Sequence, residues 1–207
     1  MNNYELEIQF TEDALKAIYA AGEKIIITKE VAGSKGKSVC WVSTLPFLNN
    51  SVKWTEEYML YASREEAMNG ATISKLSDVD AISEVIYDFN SAIFDNAHTS
   101  SDVGKNEYGL SNQMDQYSYL TFGLAQKVTV NGARTEGRPI NAVTLPYNHT
   151  ATFSPIEKVR VCLANDLNNG MVITKEFSTA IDVTYSGTET KKTIAYDNTK
   201  GMFVPVG

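Results

Sequence analysis

From Lys24 onward, hydrophobic and polar residues alternate with a period of two, which is the spacing of β-strands with one buried face. Clusters of glycine, asparagine, proline and serine separate the alternating runs and mark turns. So many strands with so little helix predict a mainly β fold, namely an antiparallel β-sandwich with one short N-terminal α-helix, built as a single domain over residues 1–207. About nine strands are predicted, in the segments KIIITKEV, SVCWVSTL, VKWTEEYMLYAS, QYSYLTFGLAQKVTV, INAVTLP, EKVRVCLAND, GMVITKEF, TAIDVTYS and KKTIAYD.

One segment near the start of the chain has helical periodicity. In FTEDALKAIYAAGEK, Thr11 stands at an N-cap position and is followed by Glu12 and Asp13 in the first turn. Apolar residues then recur at helical spacing, and Gly22 marks the end. We predict a short amphipathic helix over residues 11–21 that packs against one end of a sheet. A detachable, membrane-inserting segment is the alternative interpretation.

Three further segments have less regular patterns of hydrophobic and polar residues. The sequence Ser-Gly-Thr-Glu predicts a hairpin that joins a strand at 180–185 to one at 190–196. Residues 77–94 fit both helical and strand periods, and we favour strand because the surrounding segments are strands. Residues 95–107 are polar and contain glycine, which predicts a long loop of the kind that often carries function.

The stretch VAGSKGKSVC resembles the end of a phosphate-binding loop, because Gly36, Lys37 and Ser38 match its last positions. Such a loop requires its first glycine five positions before Gly36, where this chain has Val31. The residues that follow are β-branched and aromatic, whereas a phosphate-binding loop leads into a helix. We therefore predict a hairpin tip, in which Gly33 and Gly36 supply the turn conformations.

The composition is that of an ordinary globular protein, with 43% hydrophobic and 21% charged residues. The net charge of −7 argues against a nucleic-acid partner and against simple electrostatic attraction to anionic lipids. No apolar run approaches the length of a membrane span, and MNNYELEIQF has no signal-peptide pattern. We expect a soluble protein that is released from the cytoplasm or secreted by a non-classical route.

The residues that most often perform chemistry are few. His98 and His149 are far apart, and no nucleophile motif accompanies them, so we expect no catalytic site. Cys40 and Cys162 fit either one disulfide or two buried thiols, and the second is favoured without a signal peptide. We expect no cofactor.

The densest acidic patch comprises Asp78, Asp80, Glu84 and Asp88. Asp78-x-Asp80 begins like a calcium loop, but the following residues lack the third oxygen ligand and the glycine of the EF-hand pattern. We interpret the patch as a solvated acidic face without a metal.

Aromatic residues are the most informative feature, with eleven tyrosines and two tryptophans. Aromatic faces suit sugar rings, choline head groups and membrane interfaces, because they combine apolar contact with cation–π attraction. Tyr117 and Tyr119 share one strand face and would point to solvent if Leu120 is in the core. Burial in the core is the alternative, and we expect it for more than half of the aromatic residues. The candidate contact residues are Trp54, Tyr58, Tyr117, Tyr119 and Tyr147.

Several segments resemble a family of β-rich fungal and bacterial proteins of similar length. They are GEKIIITKEV, VCWVSTLPFLNNSVKWTEEYMLYAS with Trp41, Asn49, Trp54 and Tyr58, NEYG at 106–109, and FSPIEKVRVCL at 153–163. In general design the chain also resembles actinoporin-type cytolysins and bacterial insecticidal β-sandwich proteins. That likeness implies membrane binding and a pore lined by the N-terminal helix. Actinoporin-like proteins are usually basic, whereas this chain is acidic and its helix is short.

These observations lead to one main functional hypothesis and two alternatives. The main hypothesis is a non-enzymatic protein that binds a membrane lipid, glycan or surface receptor of a target cell and acts as a toxin of the insecticidal type. Homo-oligomerisation on the membrane and pore formation are left open within it. The first alternative is a lectin-like or protein-binding module without lytic activity, and the second is an enzyme whose cleft the sequence does not reveal.

Overall fold

The computed structural model describes residues 2–175 and 177–206, and this part of the chain is mainly β with one short helix, α1 (Glu12–Ala20). The strands, in chain order, are β1 (Asn3–Gln9), β2 (Lys24–Gly33), β3 (Lys37–Val39), β4 (Val42–Thr44), β5 (Asn49–Thr55), β6 (Tyr58–Ser63), β7 (Ser77–Asp80), β8 (Val85–Asn90), β9 (Ile93–Thr99), β10 (Tyr108–Asn112), β11 (Tyr119–Gln126), β12 (Thr129–Val130), β13 (Ala133–Arg134), β14 (Arg138–Pro139), β15 (Asn141–Pro146), β16 (His149–Ala164), β17 (Val172–Ile173), β18 (Ile181–Thr184), β19 (Lys191–Asp197) and β20 (Met202–Pro205).

Among the described residues, the strands form three sheets. The first has the order β13-β12-β5-β1-β19-β20, and the second has the order β4-β2-β16-β10-β8-β9 with β18 beside β16. The third has the order β17-β3-β15-β11-β6-β7 with β14 beside β11. Two pairs are parallel, β1 with β19 and β8 with β10, so the first two sheets are mixed. The predicted mainly β class is confirmed, but uniform antiparallel pairing is wrong, because neither parallel pair consists of strands that follow one another in the chain and could form a hairpin.

The main hydrophobic core is shared by all three sheets. It includes Leu6 of the first sheet, Ile27 of the second and Leu60 of the third, each fully buried. A smaller cluster surrounds Tyr61, and another contains the two cysteines. Cys40 and Cys162 are free thiols, as favoured from the sequence, and burial raises their pKa values to about 12 and about 11.

Several predicted strands are correct in position but wrong in pairing. Residues 77–94 form strands, as favoured, and the predicted loop at 95–107 starts only after β9 ends at Thr99. The segments SVCWVSTL and VKWTEEYMLYAS each break into two strands that join different sheets. Neither predicted hairpin forms a ladder, because β2 and β3 belong to different sheets, as do β18 and β19. Alternation along one strand does not specify its partner, which is set by the whole fold.

Helix α1 agrees with the sequence in detail. Its N-cap is Thr11, whose side chain accepts a hydrogen bond from the backbone N–H of Ala14 at 3.2 Å, and Glu12 and Asp13 lie in the first turn. Ala14 and Ile18 are buried in the main core. The helix is therefore a packed element of the fold in this structure.

We expect Thr11→Ala to lower the free energy of unfolding by about 1 kcal/mol, because an N-cap side chain pairs one of the otherwise unsatisfied N–H groups of the first turn. Urea denaturation checks this value. Thr11→Ser is the matched control and should retain most of the stability, since serine can accept the same hydrogen bond. Equal losses in the two variants would contradict the capping role.

An ion-pair network on β16 and β18 predicts acid sensitivity. One carboxylate oxygen of Asp182 accepts a hydrogen bond from Arg160 Nε at 2.7 Å, and the other lies 2.9 Å from Lys158 Nζ. The hydrogen bond from Arg160 is the main cause that lowers the pKa of Asp182 to about 2. An aspartate of the unfolded chain takes up its proton at about pH 4, whereas the folded one resists until about pH 2. The stabilisation is therefore present above pH 4 and lost as the pH falls to 2. The native protein should be more stable than Asp182→Asn above pH 4, and this difference in the free energy of unfolding should shrink as the pH falls to 2. Urea denaturation at each pH measures the difference. A difference that stays constant with pH would contradict the prediction.

Candidate functional site

The most prominent surface feature is a cluster of apolar side chains in the connection between β4 and β5. We call residues 45–48 the apolar loop. Leu45 is 55% exposed, Phe47 is 56% exposed and Leu48 is 44% exposed. Tyr19 of α1 adds an aromatic ring that is 48% exposed. Single exposed apolar residues are common, but a cluster of this kind marks a contact surface.

The backbone of the apolar loop is held firmly although its side chains project. Asn50 is buried, accepts from the N–H of Phe47 at 2.9 Å and donates to the carbonyl of the same residue at 2.8 Å. The N–H of Phe10 donates to the carbonyl of Leu48 at 2.9 Å, and the hydroxyl of Tyr19 donates to the carbonyl of Pro46. The loop is thus an apolar projection fixed in place before it meets any partner.

A cleft of about 410 Å³ lies beside the apolar loop. Phe47 forms part of its wall. Glu7, the carboxylate residue in the cleft wall, is paired with Lys191 at 2.8 Å. The polar groups of the cleft are therefore mainly neutral ones that can donate and accept hydrogen bonds. The other lining residues are polar, namely Gln9, Asn49, Asn50, Ser51 and Asn131.

The structure divides the five predicted contact residues into two groups. Trp54 and Tyr58 are only 4% and 5% exposed, so neither offers a face to a surface ligand. This corrects the prediction for them, and the reason is that Trp54 shares its strand face with the core residue Val52. Both side chains instead belong to a buried polar centre.

The other three predicted residues lie at the surface or near it. Tyr119 is 41% exposed and Tyr147 is 45% exposed, on neighbouring parts of β11 and the turn after β15. Tyr117 is half-buried, with the Arg64 guanidinium 5.1 Å from its ring centre. Tyr119 and Tyr147 are therefore exposed aromatic residues near one end of β11 and β15, separate in the chain from the apolar loop.

The buried polar centre is built around Lys29, whose side chain has no exposed surface. Its Nζ donates to Gln126 Oε1 at 2.9 Å and to Glu157 Oε2 at 3.0 Å. Glu157 also accepts from Trp54 Nε1 at 3.0 Å and from the hydroxyl of Tyr58. Every charge in the centre is therefore paired, as the burial of charge requires.

Aromatic rings enclose the ammonium group of Lys29. Its Nζ lies 5.3–5.5 Å from the ring centres of Trp41, Trp54 and Tyr58, which is cation–π distance. Burial away from water has the largest effect on the pKa of Lys29 and lowers it to about 8. The nearby carboxylate of Glu157 opposes this shift. Burial likewise raises the pKa of Tyr58.

A β-bulge places Glu157 at this centre. The register between β2 and β16 shifts between Ile156 and Val159, so Glu157 and Lys158 have no opposite residue on β2. The carbonyl of Glu157 accepts from the N–H of Tyr185 at 2.8 Å, which secures the bulge. The bulge directs the Glu157 side chain to Lys29 while Lys158 pairs with surface carboxylates.

The sequence held a signal for the position of Lys29. Alternation along β2 places Lys29 on the same face as Ile25 and Ile27, which are fully buried in the main core. A lysine on that face predicts a buried, paired charge. Alternation along β11 likewise places Gln126 on the face of that strand that is buried in the main core. No comparable pattern marks Glu157, because the bulge brings it there.

The remaining candidates form no site. His98 and His149 are exposed, and the Nδ1 atom of each ring is hydrogen-bonded to a backbone carbonyl two residues away. Asp78 of the acidic patch pairs with Lys75. Within residues 2–175 and 177–206, no group of three or more His, Cys, Asp or Glu side chains is arranged to hold a metal ion. In the same ranges, no helix is long and apolar enough to cross a membrane.

Comparison with known proteins found no matching family model, curated protein or solved structure. The resemblance to β-rich fungal and bacterial proteins and the likeness to cytolysins therefore stay predictions. Any functional assignment has to come from the site itself.

Proposed function

We propose that this chain is a non-enzymatic β-sandwich protein that binds membranes through its apolar loop and acts as a toxin on target cells. The observation that carries the proposal is the fixed projection of Leu45, Phe47 and Leu48, three exposed apolar side chains within four residues of the chain. Insertion of these side chains below the lipid head groups would remove apolar surface from water without reordering the loop. A toxin must first attach to its target, and this loop supplies the attachment.

Charge favours a zwitterionic membrane. The net charge is −7, and the described lining of the cleft beside the loop includes no lysine or arginine that would attract an anionic head group. Lys191 lies beside the cleft but is paired with Glu7. Phe47 and Tyr19 offer aromatic faces suited to choline, and the amide groups of the cleft can bind phosphate or hydroxyl oxygens. Apolar insertion therefore supplies the affinity, and the cleft selects the head group.

The exposed pair Tyr119 and Tyr147 supports the alternative, a lectin-like module without lytic activity. Exposed aromatic rings on β11 and in the turn after the adjacent strand β15 suit the apolar faces of sugar rings. In that case binding would saturate, would be competed by free sugar and would not depend on the apolar loop.

Flotation of the native protein with lipid vesicles tests the proposal. Vesicles of phosphatidylcholine with cholesterol, of sphingomyelin with cholesterol, and of phosphatidylcholine with phosphatidylserine should be compared, each loaded with a dye. We expect the protein to float with the first two compositions and to gain nothing from phosphatidylserine. Dye release in the same samples tests the lytic part of the proposal.

Two results would contradict the proposal. Absence of flotation with every vesicle, together with sugar-competed binding to a glycan array, would favour the lectin-like alternative. Binding that requires phosphatidylserine would show that the head-group argument is wrong.

A further inference from the structure

The buried polar centre brings together three groups that can react with one another. They are the amine of Lys29, the side-chain amide of Gln126 and the carboxylate of Glu157. Lys29 Nζ lies 2.9 Å from Gln126 Oε1, and the carbonyl carbon of the amide is one C=O bond, about 1.2 Å, beyond that oxygen. The amine is therefore at most about 4 Å from an electrophilic carbon, and a shift of about 1 Å would bring it to the separation of about 3–3.5 Å from which attack begins.

The surroundings favour acyl transfer over hydrolysis. Lys29 and Gln126 are 2% and 0% exposed, so water does not compete for the carbonyl. The same burial that hides the amine lowers the pKa of Lys29, which makes the neutral, nucleophilic form accessible near neutral pH. Glu157 touches Nζ and is held by the donors Trp54 and Tyr58, so it can pass protons without leaving its place.

We propose that Lys29 and Gln126 join spontaneously in the folded protein to form an intramolecular isopeptide bond, with Glu157 as the catalytic proton carrier. Glu157 accepts a proton from the Lys29 ammonium, and the freed lone pair of Nζ attacks Cδ of Gln126. The Cδ–Nε2 bond breaks as the proton held by Glu157 and a second proton from Nζ, which also passes through Glu157, are both transferred to the leaving nitrogen. One Cδ–Nζ bond replaces one Cδ–Nε2 bond, and the positive charge of Lys29 leaves as ammonium.

The leaving nitrogen has a defined place and an exit. Gln126 Nε2 donates to the carbonyl of Thr55 at 2.6 Å, which orients the amide before attack. A cleft of about 470 Å³ is lined by Trp54, Thr55 and Lys127, next to that position. Because Gln126 is 0% exposed, ammonium reaches this cleft when the wall formed by Trp54 and Thr55 opens briefly.

The bond would connect two sheets across the shared core. Lys29 lies on β2 of the second sheet and Gln126 at the end of β11 of the third, 97 residues apart in sequence. A covalent link over such a span removes much of the freedom of the unfolded chain, as a disulfide does. Unlike a disulfide, an amide is not broken by reduction.

The intact mass of the native protein tests the proposal without any substitution. We expect a mass about 17 Da below that of the sequence, which is the mass of one ammonia. The variants Glu157→Gln and Lys29→Arg should have the full masses of their sequences, because one lacks the proton carrier and the other lacks the amine. A native protein at its full sequence mass would overturn the proposal.

Peptide mapping identifies the linkage, because a succinimide at an Asn-Gly pair also removes one ammonia. Trypsin does not cleave after an acylated lysine, so we expect a branched peptide that joins residues 25–35 to residues 106–127. A link from Lys29 to residues 135–158, which contain Glu157, would overturn the assignment of Gln126. A mass loss confined to an Asn-Gly peptide would overturn the proposal as a whole.

Discussion

Binding to zwitterionic vesicles is expected to weaken by at least about 100-fold when Phe47 is replaced by aspartate. Phe47 is 56% exposed, so its ring contributes little to the core and is free to enter a membrane. Full burial of a phenylalanine is worth about 1.5–3 kcal/mol, and a carboxylate at the same position opposes insertion. Flotation with phosphatidylcholine–cholesterol vesicles over a range of lipid concentrations measures the change.

The matched control for this prediction is Ile82→Asp. Ile82 is 65% exposed and lies between β7 and β8, so the substitution adds the same charge at an equally exposed apolar position. We expect unchanged vesicle binding for this variant and unchanged urea denaturation for both. A similar loss in the two variants would mean that added charge, rather than the apolar loop, governs binding.

Removal of the buried amine should have the largest effect on stability. We expect Lys29→Met to lower the free energy of unfolding by at least about 3 kcal/mol, because the variant loses the ion pair with Glu157 or, where the proposed isopeptide bond has formed, the covalent link between two sheets. In the unlinked protein the hydrogen bond from Lys29 to Gln126 is lost as well. Urea denaturation at neutral pH measures the loss.

Lys158→Met is the matched control for Lys29→Met. Lys158 lies beside Glu157 on β16, but it is partly exposed and pairs with Glu30 and Asp182 near the surface. Surface ion pairs contribute about 1 kcal/mol or less, so this variant should stay close to the native protein. Equal stability of the Lys29 variant and the native protein would contradict a structural role for the centre.

The parts of the fold that local sequence determines were predictable. Helix α1 carries its own start signal in Thr11 and its own apolar face, so its bounds follow from the sequence. Strand positions follow from alternation in the same way. The pairing of the strands cannot be predicted in this way, because β1 pairs with β19 from the other end of the chain, and β2 and β3 belong to different sheets. The packing of the whole core determines such pairs.

The candidate sites show the same division. Alternation along β5 and β2 could have placed Trp54 and Lys29 in the core, since each shares a face with buried aliphatic residues. Exposure of the apolar loop depends on how Asn50 holds Phe47 between two sheets, which no local pattern reveals. The bulge that brings Glu157 to Lys29 likewise depends on the register of two strands that are distant in sequence.

Insertion of the apolar loop is tested most directly by an environment-sensitive fluorophore attached at that loop. The variant Leu48→Cys can be labelled selectively, because Cys40 and Cys162 are buried and burial raises the pKa of each thiol. Ile82→Cys, labelled in the same way, is the control. With phosphatidylcholine–cholesterol vesicles, we predict a blue shift and protection from aqueous quenchers at position 48 only. An unchanged spectrum at position 48, with the protein bound to the vesicles, would contradict the account.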